Sequence, residues 1–193
     1  MMKIEPTSIS GSYIFHHDVY PDNRGIFREW FRESIFNSLG LEFRIAQANF
    51  SNSRPGVIRG LHYSLAPSGQ SKLVTCVQGN VRDCLVDIRC GSPTYLEKVY
   101  LNLDSSSGNS LFIPNGVAHG FSVLAENSSI AYLTSSEYSA TYEKSINPED
   151  KVLEIDWEID YEKRIMSESD SKAISFETAM KLNLLPDYSE TGR

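Results

Sequence analysis

"SKLVTCVQGNVRDCLVDIRC", residues 71–90, sets two runs of Val, Leu, Ile and Cys on either side of a central QGN. Each run has the length and β-branched content of a strand, and the glycine between polar neighbours marks a tight connection, so QGN at 78–80 is expected to be a hairpin turn. The same rhythm runs outward in both directions: SYIFHHDVY (12–20), FRIAQANFS (43–51), GVIRGLHYS (56–64), YLEKVYLNL (95–103), NSLFIPNG (109–116), HGFSVLA (119–125) and SSIAYLTSS (128–136). Short strands with turn signals about every 8–12 residues predict an antiparallel sandwich or barrel. Most connections are too short for the crossover helices a parallel sheet needs. DSSSGNS (104–110) is expected to be a hairpin loop. A helix is predicted at 33–39, stopped by Gly40, and a second at 172–183, where Ile174, Phe176, Ala179, Met180 and Leu182 repeat on one side. The acidic stretch 141–166 reads as irregular chain crossing the surface.

One domain over 1–193, with a tail loose from about 184, suits the length. Forty per cent apolar and 22% charged residues lie in the folding regime. A formal charge of −7 gives no basic footprint, so nucleic acid is excluded as a partner, and any anion must be held by a local cationic pocket. No apolar run reaches the ~20 residues of a membrane span and MMKIEPTSIS has no signal-like stretch, so no membrane partner and a cytoplasmic location are expected. Cys76, Cys84 and Cys90 form no CxxC pair and read as reduced core or edge residues.

In VIRGLHYS (57–64) an arginine and a histidine interrupt an apolar strand. Side chains three apart on a strand point to opposite faces unless a bulge intervenes, and Gly60 can supply one. A lone His in such a strand reads most simply as a hydrogen-bonded core residue, but polar neighbours crowd it: Gln47, Asn49, Ser51, Lys72, Arg82 and Asp83. Gln47, Asn49 and Ser51 alternate with Ala48 and Phe50, so one face of that strand is hydrogen-bonding. Burying such groups without partners is costly, and a wet cavity is predicted.

LFIPNGVAHGFSVL (111–124) carries Pro114, Gly116 and His119 in a P-x-G-x-x-H pattern. It resembles the second motif of the cupin superfamily, small jelly-roll barrels in which that histidine often binds metal. A cupin metal site also draws on an H-x-H…E motif, and the matching place here is His62-Tyr63-Ser64, with one histidine. Too few ligands remain for a metal site. His16 and His17, adjacent in sequence, point to opposite faces and read as solvated or packed.

The ordered set D-x-R-G-x-F (22–27) with Glu29 and Phe31, QAN (47–49), GVIRGLHY (56–63), KLV (72–74), G-x-V-x-D (79–83), VDIR (86–89), SPT (92–94), I-P-x-G-x-A-H-G-F (113–121) and IDW (155–157) resembles the dTDP-4-dehydrorhamnose 3,5-epimerase family from about residue 12 to 175. Each motif alone is weak; their order is specific. The resemblance implies a mainly β, cupin-type jelly roll with a few short helices toward its two ends. It implies no cofactor, and a homodimer with exchanged N-terminal strands acting on a nucleotide-sugar. By position, His62 would be the base, Asp170 its carboxylate partner, Lys72 the cation beside the ketone and Tyr132 the acid. Arg59 and the partner subunit's Arg24 would hold the diphosphate. The partner subunit's Phe27 and Tyr138 would sandwich the nucleotide base, Glu29 would touch the nucleotide, and Gln47, Asn49 and His119 would line the sugar pocket.

The implied chemistry needs these residue types. A C4 ketone acidifies the protons on C3 and C5; inversion needs a base on one ring face, an acid on the other and a stabilised enolate between. Imidazole, with a reference pKa of ~6.5, suits proton removal near neutrality, and a carboxylate fixes its tautomer. A sheltered lysine suits a developing oxyanion.

Plainer readings exist. Lys72 suits a solvated edge strand, Tyr132 a core, Arg24 and Phe27 a turn and its strand, and Asp170 in SESDSK a helix N-cap or loop. The chain also departs from the family: Ser64 for glutamine, Leu133 within Y-L-T for lysine, INPEDK (146–151) for I-R-W-D-D-P, Glu158 for proline, and MSESD (166–170) for L-S-x-K-D. These leave open the nucleotide, dTDP or CDP, and whether C3 alone or both centres invert. A metal-dependent cupin, a non-catalytic sugar-nucleotide binder and a 3,4-ketoisomerase are the rival classes.

Overall fold

The computed structural model describes residues 3–65 and 69–191. Its strands are β1 (Lys3–Pro6), β2 (Tyr13–His16), β3 (Val19–Asp22), β4 (Gly25–Arg28), β5 (Gln47–Ser53), β6 (Ile58–Ser64), β7 (Lys72–Gln78), β8 (Asn80–Val86), β9 (Lys98–Asp104), β10 (Asn109–Ile113), β11 (Ala118–Val123), β12 (Ser128–Thr134) and β13 (Glu143–Ser145). The predicted N-terminal helix is α1 (Glu33–Ser38), and α2 (Glu168–Ser171) and α3 (Phe176–Lys181) lie near the C-terminus.

Two antiparallel sheets face one another, in orders β1-β2-β10-β7-β12-β5 and β13-β6-β11-β8-β9. Alternation places Val74 and Cys76 of β7 and Val81 and Leu85 of β8 in one shared interior cluster, with Leu103, Leu111, Phe121 and Ile130. The outer faces are covered too, which is why these strands read as near-continuous apolar runs. Leu73 and Phe112 pack outward against Phe36 of α1 and Phe43. On the other sheet, Leu61, Tyr63, Cys84 and Val86 pack against Leu153, Ile155, Trp157 and Phe176. Cys76 and Cys84 are buried and Cys90 is exposed, all three free.

The turns are where reading and structure part. QGN is not a hairpin: β7 belongs to the six-stranded sheet and β8 to the five-stranded one, so 78–80 carries the chain from one to the other. Gly79, at φ +76°, makes that corner. The 104–110 loop does the same between β9 and β10. Turn residues report where a strand ends, and the partner it takes next is decided by packing across the interior.

Three further expectations are corrected. The helix predicted at 172–183 begins only after Ser175, whose side chain caps α3 by accepting from the Thr178 amide, while Ile174 bridges to Ile146. Within 141–166, Leu153, Ile155 and Trp157 are buried, and the Trp157 Nε1 donates to the Pro148 carbonyl at 2.8 Å. Acidic residues alternate with these apolar ones, so the segment is a half-buried strap rather than surface chain. Chain read as a loose tail is also tied down: Cys90 N donates to Pro186 O at 2.8 Å, Tyr188 N to Cys90 O at 3.0 Å, and Tyr188 lies under the Arg89 guanidinium. Residues 192 and 193 lie outside the described residues. No helix among those described is long and apolar enough to cross a membrane.

Candidate active site

β6 and β11 are out of step by one residue: His62 faces His119, yet Arg59 faces Phe121. Gly60 and Leu61 of β6 therefore oppose the single Gly120 of β11, the bulge expected at Gly60. Gly60 has φ +128°, and a Cβ there would stand 2.6 Å from the Gly120 Cα and 2.8 Å from the His119 carbonyl oxygen, so no other residue fits. The bulge sends Ile58, Leu61 and Tyr63 outward into one apolar cluster and leaves Arg59 and His62 on the inner face.

There His62 meets a carboxylate from distant chain. Ser167 caps α2 by accepting from the Asp170 amide, and Asp170 accepts from His62 Nε2 at 2.7 Å. Burial pushes the Asp170 carboxyl up, but the hydrogen bond and charge of His62, with Ser167 and the Gly60 backbone, outweigh it and hold it below the usual range. The carboxylate stays ionised, accepts the hydrogen bond from Nε2–H and leaves Nδ1 as the basic nitrogen of the ring.

Across the interior, β12 brings Tyr132 between Asn49 of β5 and Val74 of β7. His62, Tyr132, Lys72, Gln47, Asn49 and Tyr138 line a common cavity of about 530 Å³, with Glu143 and Ser169 at its wall. Burial lowers the Lys72 pKa, opposed by the charge of Glu143. Burial raises Tyr132, opposed by Arg59, so the phenol keeps its proton through neutral pH. Arg59 stands further along the same face, its Nε donating to Ser53 Oγ at 3.1 Å.

Other predicted residues lie elsewhere. His119 is buried and bound to Asp83, Nε2 to Oδ2 at 2.9 Å, and is not part of the cavity wall. Arg24, Phe27 and Glu29 are carried away from the cavity on or just beyond the β3–β4 hairpin. Arg24 pairs with Asp22 at 2.6 Å and Glu29 with Arg32 at 2.7 Å, while Phe27 is 69% exposed. Among the described residues no group of three or more His, Cys, Asp and Glu side chains is placed to hold a metal ion.

The family model for dTDP-4-dehydrorhamnose 3,5-epimerase matches residues 6–178. The chain belongs to the dTDP-4-dehydrorhamnose 3,5-epimerase family. It is 37% identical to the dTDP-4-dehydrorhamnose 3,5-epimerase of Mycobacterium tuberculosis, over 100% of this chain and 96% of that protein. Among solved structures it is similar to NovW, a 4-keto-6-deoxy sugar epimerase from the novobiocin biosynthetic gene cluster of Streptomyces spheroides, with TM-score 0.94 and 35% identity over 99% of this chain and 96% of that one. It is also similar to ChmJ, a 3'-monoepimerase of Streptomyces bikiniensis solved with dTDP-quinovose, with TM-score 0.91 and 36% identity over 96% and 94%. An RmlC-type epimerase barrel thus accounts for the two sheets and the cavity between them.

Sequence reading missed two ionisable members of this epimerase's cavity, Glu143 and Lys144. Glu143 sits on β13, whose Ser145 pairs with His62, and burial raises its carboxyl against the charges of Lys72 and His62. Its place in an acidic stretch hid it. The signal available was TYEKSI, an alternation in which Glu143 and Ser145 share a face.

Proposed function

We propose that this epimerase inverts C3, and C5 where the product requires it, of a nucleoside-diphosphate 4-keto-6-deoxyhexose, with His62 as base and Tyr132 as acid. The observation that carries the reading is the cavity itself: an imidazole on one sheet and a phenol on the other, with a buried lysine lining the same space. His62 Nδ1 takes the proton from the carbon beside the ketone, and the C–H electrons move onto the C4 oxygen as an enolate. Asp170 supports the imidazolium, and Lys72 stabilises the oxyanion in a site sheltered from water. As the enolate collapses, Tyr132 gives its proton to the opposite face of the carbon, and the configuration inverts.

Arg59 holds the diphosphate, and Tyr138, exposed at the cavity mouth, stacks on the nucleotide base. A second copy of the chain supplies Arg24, Phe27 and Glu29 from its projecting hairpin. This accounts for a hairpin that pairs with no other strand among the described residues and exposes Tyr20, Ile26 and Phe27. The nucleotide is dTDP, with CDP as the alternative, and the enzyme works in the cytoplasm supplying deoxysugars for surface polysaccharide. Inversion at C3 alone is the second reading, favoured by the likeness to the 3'-monoepimerase.

The test is incubation with dTDP- and CDP-4-keto-6-deoxyglucose in deuterium oxide, followed by NMR of label position and stereochemistry. Label at C3 and C5 of an inverted dTDP-sugar is expected. Label at C3 alone selects the second reading, a shifted carbonyl selects a ketoisomerase, and no label refutes the proposal.

A further inference from the structure

Three groups at the cavity mouth form a chain whose direction is fixed at one end. The backbone amide of Tyr138 lies 2.9 Å from Gln47 Oε1, and Gln47 Nε2 lies 2.7 Å from Asn49 Oδ1. A backbone N–H can only donate, so the Gln47 atom facing it must be the carbonyl oxygen. The other end of that amide is then its NH2, which can only donate, and Asn49 must receive it through Oδ1. That leaves the NH2 of Asn49 without a partner among the described residues, on a strand whose Asn49 pairs with Tyr132 and lines the cavity with His62 and Lys72.

We propose that Gln47 is a positioning residue that sets the polarity of Asn49, presenting a hydrogen-bond donor, and never an acceptor, to an oxygen of the bound sugar. The inference rests on the function proposed above and adds to it. An Asn side chain is chemically ambivalent, and a free one would turn its oxygen or its nitrogen inward according to the ligand. Here the Tyr138 amide, itself part of the loop bearing the base-stacking ring, removes that freedom through Gln47. The cavity thereby shows the sugar a donor at Asn49, the arrangement that favours an oxygen gaining negative charge. The same link ties the Tyr138 loop to β5, so nucleotide grip and sugar-site polarity share one side chain.

Gln47→Glu separates these two roles. A carboxylate still accepts from the Tyr138 amide, but its second oxygen also accepts, so Asn49 must turn to donate to it and shows its own oxygen to the cavity. Losing one donor to a charged group corresponds to about 10–100-fold in rate. Gln47→Glu is expected to lower kcat by that factor with KM little changed, whereas Gln47→Leu, which cuts both links, also raises KM. On an Asn49→Ala background, Gln47→Glu should cost no more than about 2–3-fold, because the residue it acts through is gone.

Equal cost of Gln47→Glu on both backgrounds, or none on either, would overturn the proposal. A readout that needs no turnover is the NMR spectrum of the ligand-free protein. The Tyr138 amide proton should move downfield in Gln47→Glu and upfield in Gln47→Leu, and the Asn49 side-chain NH2 should shift in both. If neither resonance responds, the relay is refuted even where the sugar assay succeeds. If they respond while wild-type enzyme exchanges no sugar proton, the relay stands and the catalytic reading fails.

Discussion

Asp170→Asn isolates what the carboxylate does for His62. The side chains are nearly isosteric, so the substitution removes a charge and reverses a hydrogen bond without emptying space. In the native site the oxygen accepts from Nε2 at 2.7 Å, the short range of a charge-assisted bond, with the Asp170 side chain only 8% exposed. Such a bond contributes about 1.5–3 kcal/mol, placed here toward the lower half because His62 is 44% exposed and water screens it. The imidazolium formed on proton removal loses that support, a deceleration of roughly 10–50-fold. Asparagine adds a second penalty, since its NH2 can donate to Nε2 and strand the ring proton on Nδ1, the atom that must act as base. Asp170→Ala carries the first cost alone. The assay is the initial rate of deuterium entry at C3 at saturating sugar nucleotide, with thermal melts to confirm folding. Asp170→Asn should be slower than Asp170→Ala, and both at least about tenfold slower than wild type. A folded Asp170→Asn enzyme within threefold of wild type would refute the reasoning.

Gly60→Ala should lower stability by about 2–3 kcal/mol or more, since a Cβ would meet the Gly120 backbone at 2.6 Å from a φ of +128°; urea titration measures it, and a loss under 1 kcal/mol contradicts the bulge. His17, desolvated and beside Arg28, has its pKa lowered to about 4. Above pH 6.5 the imidazole is neutral folded or unfolded. As pH falls from 6.5 toward 4 only the unfolded chain takes the proton, so stability drops by up to about 3 kcal/mol and then levels. His17→Gln should flatten that part of a pH series of denaturation curves, and parallel curves would count against it. Because burial lowers Lys72 and raises Tyr132, the alkaline fall in rate should begin below 10.5 and belong to the lysine as it loses its charge. Lys72→Arg, charged throughout, should move that limb upward in a pH–rate profile, and an unmoved limb would assign it elsewhere.

Much of this molecule is legible in its residues. Strand positions, the α1 helix before Gly40 and the bulge at Gly60 follow from local pattern, because each is decided by neighbours in sequence. The corner at Gly79 is not legible that way: a tight glycine turn serves a hairpin or a change of sheet, and only the interior packing of Val74 against Val81 and Leu85 chooses. Trp157 escaped because its strap is acidic on the alternate residues, and alternation was masked by net charge. Asp170 carried no signal of its own in a polar run; its role came with the family pattern, and geometry supplied the 2.7 Å contact. Arg59, His62 and Lys72 stood out because strongly polar side chains inside apolar strands need a reason. Glu143 was hidden because β13 is only three residues long in an acidic stretch, and the charges of Lys72 and His62 that act on it come from distant parts of the chain.

The most direct measurement follows Tyr132→Phe in deuterium oxide. If the two groups flank one ring, removal of the phenol leaves proton abstraction intact: recovered 4-keto sugar should carry deuterium at C3 with its original configuration, while inverted product nearly disappears. Deuterium entry and inversion falling together, in the same proportion, would mean that His62 and Tyr132 do not work from opposite faces of the substrate.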